Sequence, residues 1–136
     1  MAFEEVLGSV TLDADSSVAV YTGVPGIPGA PANQAGLQYR FVKLTGEHKV
    51  GLSTSATDQV VGVLQNKPQA TGDACTIGYV GISKVEAGAA VAAGAQIQSD
   101  TTGRAITQTS TNPVLGYAIH SAGAAGQLIP VFLRLK

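Results

Sequence analysis

Apolar positions in the centre of the chain fall into two short runs separated by a polar stretch. The first run is Val60–Asn66 and the second is Cys75–Val85, and both are rich in β-branched residues. Lys67–Asp73 between them consists of turn-forming residues. This pattern predicts two strands joined by an exposed loop. Glycine inside a strand marks a bulge or a tight bend, and the runs contain Gly62, Gly78 and Gly81.

The same strand–loop–strand pattern occurs again near the C-terminus. Val114–Ile119 matches the first apolar run in type, and Gln127–Leu133 matches the second after the loop His120–Gly126. Two such units predict a pseudo-duplicated β scaffold. The alternative is a chance similarity between short stretches.

Further strands are predicted on both sides of the central pair. Leu37–Leu44 and Lys49–Leu52 form a hairpin around a polar turn. Gln96–Gln98 and Ala105–Gln108 form a second pair. Val85–Gln96 is rich in alanine but interrupted by glycine, which favours a turn with at most one turn of helix. We therefore predict an all-β fold, a small barrel or sandwich with little helix.

The N-terminal third differs in pattern. Ala2–Val20 contains alternating pieces, such as Ser9–Leu12 and Ser17–Tyr21, that are candidate strands without a strong hairpin. Gly23–Asn33 has three prolines interleaved with glycine. Such a segment forms neither helix nor a central strand and favours an extended connector. We predict an extended N-terminal arm at residues 1–36 and a single β domain at residues 37–136. The alternatives for the arm are a floppy linker and a segment that lies across a partner. For the latter, the candidate contact residues are Phe3, Val24, Pro25, Ile27, Pro28 and Pro31.

Composition points to contact with other chains. Only 12% of the 136 residues are charged and 5% are aromatic, with no Trp. Charged residues make up about a quarter of an ordinary soluble domain. Part of the outer surface is therefore expected to be buried against other chains, the alternative being a surface of Ser, Thr, Gln and Ala.

Several partners and compartments are disfavoured. The net charge is −1 and there is no run of Lys or Arg, so nucleic acid is not an expected partner. The longest small apolar stretch, Ala87–Ala95, is too short to span a membrane. The acidic start of the chain does not resemble a signal peptide, and the single Cys75 is expected to be a buried, inert thiol.

Catalytic motifs are missing from the sequence. His48 and His120 have no motif around them, and together with Cys75 they lack the spacing of metal ligands. Neither a G-x-S-x-G elbow nor a phosphate-binding P-loop is present. The carboxylate pairs, Glu4–Glu5 and Asp13/Asp15, lie away from any predicted pocket. We expect no enzyme activity, no cofactor, no metal and no small-molecule substrate.

A family resemblance rests on turn glycines and strand patterns. Its stretches are Val61–Pro68, Thr71–Ala74, Gly81–Gly88, Ala93–Gly94, Ser99–Asp100, Thr102–Ala105 and Val114–Ala118. Over roughly Gln38–Leu135 the chain resembles the capsid decoration, or cement, proteins of tailed bacteriophages. The N-terminal arm departs from that compact family pattern.

The resemblance implies a small β-tulip or barrel-like fold that sits on the outer surface of the expanded phage capsid, commonly as trimers. It implies that the protein is made in the bacterial host cytoplasm, binds the major capsid protein and cements neighbouring subunits, so that it stabilises the head. One alternative is a tail or head-completion component with a similar fold. Another is a surface ligand-binding module, although the absence of Trp argues against stacking on sugars.

Overall fold

The computed structural model describes residues 7–18 and 37–135. Within these ranges the chain forms nine β-strands and no helix. The strands are β1 Leu7–Ala14, β2 Phe41–Gly46, β3 Lys49–Leu52, β4 Val60–Leu64, β5 Ala74–Glu86, β6 Gln96–Ser99, β7 Ala105–Thr107, β8 Gly116–Ala118 and β9 Leu128–Leu133. The predicted all-β fold is confirmed.

The first five strands close into a small barrel. Their order is β1-β3-β2-β4-β5, and β5 pairs again with β1 to complete the ring. The β1–β3 contact is parallel and joins only two residue pairs, Asp13 with Lys49 and Ala14 with Val50. The β1–β5 pairing is antiparallel and runs along the whole of β1. The barrel wall is therefore continuous on one side of β1 and short on the other.

The remaining strands continue from the far half of β5. This strand has 13 residues, and beyond Gly81 it pairs with β9, which is followed in the sheet by β8, β6 and β7. A parallel bridge between Ala87 and Ala105 brings β7 back to the end of β5. The long β5 thus belongs to both halves of the molecule.

Two hydrophobic cores fill these two halves. The core of the first barrel includes Val42, Leu64 and Ile77, and the second core includes Phe41 and Val63. Successive side chains of a strand point to opposite faces, so β2 and β4 contribute neighbouring residues to different cores. These two strands form the partition between the cores, which explains why nearly every residue of β4 is buried.

Aspartates hold the loops between strands. Asp58 accepts hydrogen bonds from the Lys43 ammonium at 2.9 Å and the Thr54 backbone N–H at 2.9 Å. Asp100 accepts from the Arg104 backbone N–H at 2.9 Å and its guanidinium Nε at 3.0 Å. Side-chain oxygens that accept hydrogen bonds from nearby N–H groups stabilise turns, which lack the backbone hydrogen bonds of a strand pair.

The four predicted strand pairs are confirmed. The predicted hairpin is β2–β3, and the pairs β4–β5, β6–β7 and β8–β9 are all antiparallel. The expected irregularities are also present. The β1–β5 register shifts where β5 carries one extra residue, Tyr79, between Gly78 and Val80.

One part of the predicted arm belongs to the sheet. Leu7–Ala14, which falls within the predicted arm, is β1 and pairs with β5. Its apolar residues are spaced at Val10, Leu12 and Ala14, on the face that closes the first barrel. Residues 1–6 and 19–36, which carry the rest of the predicted arm, lie outside the described residues, and the arm stays a prediction there.

Candidate docking surfaces

An apolar surface covers the outer side of three neighbouring strands, β5, β9 and β8. Phe132 stands between its cross-strand partners Ile82 and Tyr117. Leu128 and Pro130 follow on the same side of β9, because alternate residues of a strand share a face. Ile119, two residues beyond Tyr117, extends the surface. We call these six residues the β9 face.

The β9 face has no cover among the described residues. Phe132 is 48% exposed and Leu128 is 50% exposed, while Ile129 and Val131, which alternate with the outer residues of β9, point inward and are buried. Large apolar side chains are usually buried on folding, because removing apolar area from water stabilises a protein by about 25 cal/mol per Å². A contiguous exposed apolar surface of this kind marks an interaction site.

Charges lie at the border of this face. Glu86, opposite Leu128, is held by the Arg40 guanidinium at 2.8 Å. Lys84, opposite Pro130, is exposed and supplies one positive charge. Apolar side chains therefore occupy the middle of the face and charges its edge, as in protein–protein interfaces.

A second apolar surface lies inside the mouth of the first barrel. It is a groove of about 330 Å³ that is lined by residues of β1, β4 and β5 and by Leu135. We call it the barrel groove, and its lining is Val10, Leu12, Gln59, Val60, Val61, Ile77, Tyr79 and Leu135. Among the described residues, the polar side-chain groups of this lining are the Gln59 amide and the Tyr79 hydroxyl, and none is charged. The groove therefore suits an apolar side chain better than a charged ligand.

The edge of β1 beside this groove has a defined hydrogen-bonding direction. The Ala14 N–H donates to Asp73 on the β5 side, whereas the Asp13 N–H donates to His48 on the β3 side. Because the direction alternates along a strand, the N–H groups of Ser9 and Thr11 point away from β5. Within the described ranges, no strand pairs with β1 on that side before Asp13.

A larger and more polar cleft of about 430 Å³ lies between the loops 57–60 and 111–115. Asp58 is its one ionisable lining residue in the described part of the chain. Burial by itself would raise the pKa of Asp58, but the hydrogen bond from Lys43, others from backbone N–H groups and the Lys43 charge bring it below its ordinary value. Asp58 is thus engaged in holding its own loop.

Residues with reactive side chains are scattered. His48 lies in the β2–β3 turn with a positive φ of 60°, and His120 is exposed beyond β8. Cys75 is fully buried in the first core, where burial, followed by the charges of nearby aspartates, raises its thiol pKa to about 11. No group of three or more His, Cys, Asp or Glu that could hold a metal occurs in residues 7–18 and 37–135. Nor do these ranges contain a helix that is long and apolar enough to cross a membrane.

The candidate contact residues from the sequence lie elsewhere in the chain. Phe3 precedes the first described residue, and Val24, Pro25, Ile27, Pro28 and Pro31 fall in residues 19–36, outside the described part. The β9 face was not among the predicted sites. Its signal was present in β9, where Leu128, Pro130 and Phe132 alternate with equally apolar residues. A strand that is apolar on both sides has a second face to cover.

Comparisons with known proteins agree with this architecture. The sequence model of a family described as phage cement protein matches residues 38–134. The fold is also similar to the crystal structure of the N base of head fiber gp8.5 of bacteriophage phi29. That similarity has a TM-score of 0.61 and 20% sequence identity, over 95% of both chains. No curated protein sequence matches the chain.

The family match extends from just before β2 to the end of β9, so it includes the long β5, the β9 face and most residues of both cores, but not β1. The solved phage structure shares the fold. The chain therefore belongs to the phage cement protein family, and it is a structural, head-associated phage protein.

Proposed function

We propose that this protein binds the outer surface of the expanded phage capsid and cements neighbouring major capsid subunits, which stabilises the head. The observation that supports this proposal is the presence of two apolar surfaces, the β9 face and the barrel groove, which share no residue. A cement protein has to contact two subunits at once, and two separate adhesive surfaces on one small domain meet that requirement.

The β9 face is the surface that we assign to a capsid subunit. It is apolar in the middle and charged at its edge, so it needs a matching apolar surface on its partner. Its central residue Phe132 is an aromatic side chain flanked by Ile82 and Tyr117. Such aromatic anchors contribute a large share of the binding energy at interfaces.

Copies of the protein act together in this proposal as a homotrimer. Each copy then supplies its own capsid contacts. When one copy dissociates, the copies that are still bound hold it close to its site, and this high effective concentration makes it bind again. A ligand that binds one state of a lattice and not another stabilises that state by mass action. Binding to the expanded shell alone would therefore oppose its disassembly.

Catalysis has no part in this role. A cement protein acts through rigid surface and shape, both of which the two-core sheet supplies. The proposal accordingly includes no substrate, cofactor or nucleic acid, and it places the protein on the outside of the virion.

Substitution on the β9 face tests the assignment. Phe132→Asp places a carboxylate in the middle of the face and should weaken binding to expanded heads by at least about tenfold, the equivalent of roughly 1.4 kcal/mol. Leu44→Asp is the matched control, because Leu44 is a large exposed apolar residue of β2 that belongs to neither apolar surface.

Binding is measured by sedimentation with heads, and folding of each variant by thermal unfolding. Equal binding of folded Phe132→Asp and wild type would remove the β9 face from the capsid contact. A change in the mass of the free protein with Phe132→Asp would instead assign the face to contact between copies.

A further inference from the structure

We infer that the wall of the first barrel is completed, on the capsid, by an extended strand of a capsid subunit. This strand would pair with the edge of β1 that no strand of the described residues covers. This inference rests on the proposed function and specifies the form of the partner at the second apolar surface. Three features support it: the direction of the β1 backbone groups, the exposure of the inner barrel surface and the chemistry of the groove.

The backbone of β1 has an edge that accepts a strand. The N–H and C=O groups of Ser9 and Thr11 point away from β5, by the alternation that Asp13 and Ala14 establish. In the described ranges, β3 meets β1 only at Asp13 and Ala14. Unpaired backbone groups of this kind are the template on which extended segments add to a sheet.

Side-chain exposure identifies the same place. Ser9, Val10 and Thr11 are all exposed, although alternate residues of a barrel strand normally point inward and are buried. Val10 lies on the same face as Leu12 and Ala14, which belong to the first core or pack against it. Among residues 7–18 and 37–135, the interior of the barrel is thus left open at this end of β1.

The barrel groove lies behind that opening. Val10, Leu12 and Ile77 line it from β1 and β5, and Tyr79 projects from the bulge at its edge. A strand added to the edge of β1 would alternate its side chains, so every second one would enter the groove. The groove therefore selects a strand with apolar residues at alternate positions.

The chemistry of the groove favours a peptide strand over other ligands. Its lining contains no charged side chain in the described part of the chain, so it offers no opposite charge to an anion or a cation. The chain's own segment around Pro25, Pro28 and Pro31 suits the edge poorly, because proline lacks the N–H that a ladder requires. A strand from a capsid subunit satisfies both the edge and the groove.

A proline substitution at the edge tests the inference. Thr11→Pro removes the outward N–H, and proline is tolerated where a strand's N–H does not face its partner. Thr11→Ala keeps the N–H and serves as the control. We expect folded Thr11→Pro to bind expanded heads at least tenfold more weakly than wild type, and Thr11→Ala to bind like wild type.

Hydrogen exchange on the wild-type protein gives an independent measurement. The amides of Ser9 and Thr11 should exchange fast in the free protein and at least tenfold more slowly on heads, while the β5-facing amides of Val10 and Leu12 are slow in both states. Slow exchange of Ser9 and Thr11 in the free protein would show that this chain or another copy of it already covers the edge, and would overturn the inference.

The remaining outcomes separate this inference from the proposed function. If wild type and folded Thr11→Pro bind heads equally and the Ser9 amide gains no protection, strand addition is wrong and the cement role stands. If wild type binds no heads, both are wrong.

Discussion

Gly62 and Gly116 have the same relationship to the strand that faces each of them. A Cβ on Gly62 would collide with the Gly78 carbonyl oxygen of β5, and a Cβ on Gly116 would collide with the Phe132 carbonyl oxygen of β9. Both glycines lie in the first strand of an antiparallel pair, β4–β5 and β8–β9. The two similar sequence units thus share a close backbone approach as well as an order of residues.

Alanine at either glycine should therefore destabilise the fold. We expect Gly62→Ala and Gly116→Ala each to lower the free energy of unfolding by roughly 1–3 kcal/mol, because a backbone carbonyl has to move. Gly123→Ala is the control, since its nearest neighbour would be the Gln127 side chain at 3.9 Å. Chemical denaturation measures all three, and a Gly116→Ala variant as stable as Gly123→Ala would contradict the close approach.

Acid should weaken the fold through the aspartates that hold the loops. Burial raises the pKa of Asp100, but its hydrogen bonds from Arg104 and Thr102 outweigh this and keep the pKa below the ordinary value of 3.8. The pKa of Asp15 is lowered in the same way, against burial, by Ser17 and Thr45. A carboxyl with a lower pKa in the folded state stabilises the fold above its unfolded pKa, and this contribution is lost as the pH falls through the folded pKa.

Near neutral pH, the contribution of these carboxylates to the free energy of unfolding should change little with pH. Below about pH 4, near the unfolded pKa of Asp, the free energy of unfolding should fall. Asp100→Asn should be less stable than wild type at pH 7 and should lose less on acidification. Denaturant titrations at several pH values measure both. Identical pH dependence of the variant and wild type would show that Asp100 does not contribute.

Cys75 should be unreactive in the native protein. Its side chain is fully buried and its pKa is raised to about 11, first by burial and then by Asp13, Asp15 and Asp73. The thiolate is the reactive form, so a disulfide reagent at pH 8 should modify the folded protein far more slowly than the protein in denaturant. Rapid labelling under native conditions would contradict the placement of Cys75 in the first core.

The N-terminal arm is predicted to contact the capsid or a neighbouring copy. A deletion of the whole arm would remove β1, which is part of the sheet. Replacing Val24 and Ile27 together with serine is more selective, and it should weaken head binding or reduce the oligomer mass. Replacing Ala30 and Ala32 with serine is the control. Unchanged affinity and mass in the Val24/Ile27 variant would leave the arm without a contact role.

Sequence patterns were sufficient for the hairpins because their signals are local. The turn Thr45–His48 between two apolar runs indicated β2–β3, and the turn residues Lys67–Asp73 indicated β4–β5. Each pair is set by neighbouring residues, and turn chemistry limits how they connect. The burial of Cys75 followed in the same way from its place in an apolar strand.

Long-range features were not predictable in this way. Ser9–Leu12 alternates as a strand does, but its partner β5 lies far along the chain, so the pattern did not predict their pairing. The consecutive Phe41 and Val42 enter different cores, which depends on how β2 is placed between two halves of the sheet. The β9 face exists only once β5, β9 and β8 are side by side. The contact residues proposed in the arm remain predictions.

The central claim is tested most directly by mixing the purified protein with undecorated expanded heads of the cognate phage and, in parallel, with unexpanded precursor heads. Sedimentation then measures how much protein each kind of head binds. The proposed role predicts saturable binding to expanded heads and little binding to precursors. No binding to either at high protein concentration would contradict it and would favour a tail or head-completion component.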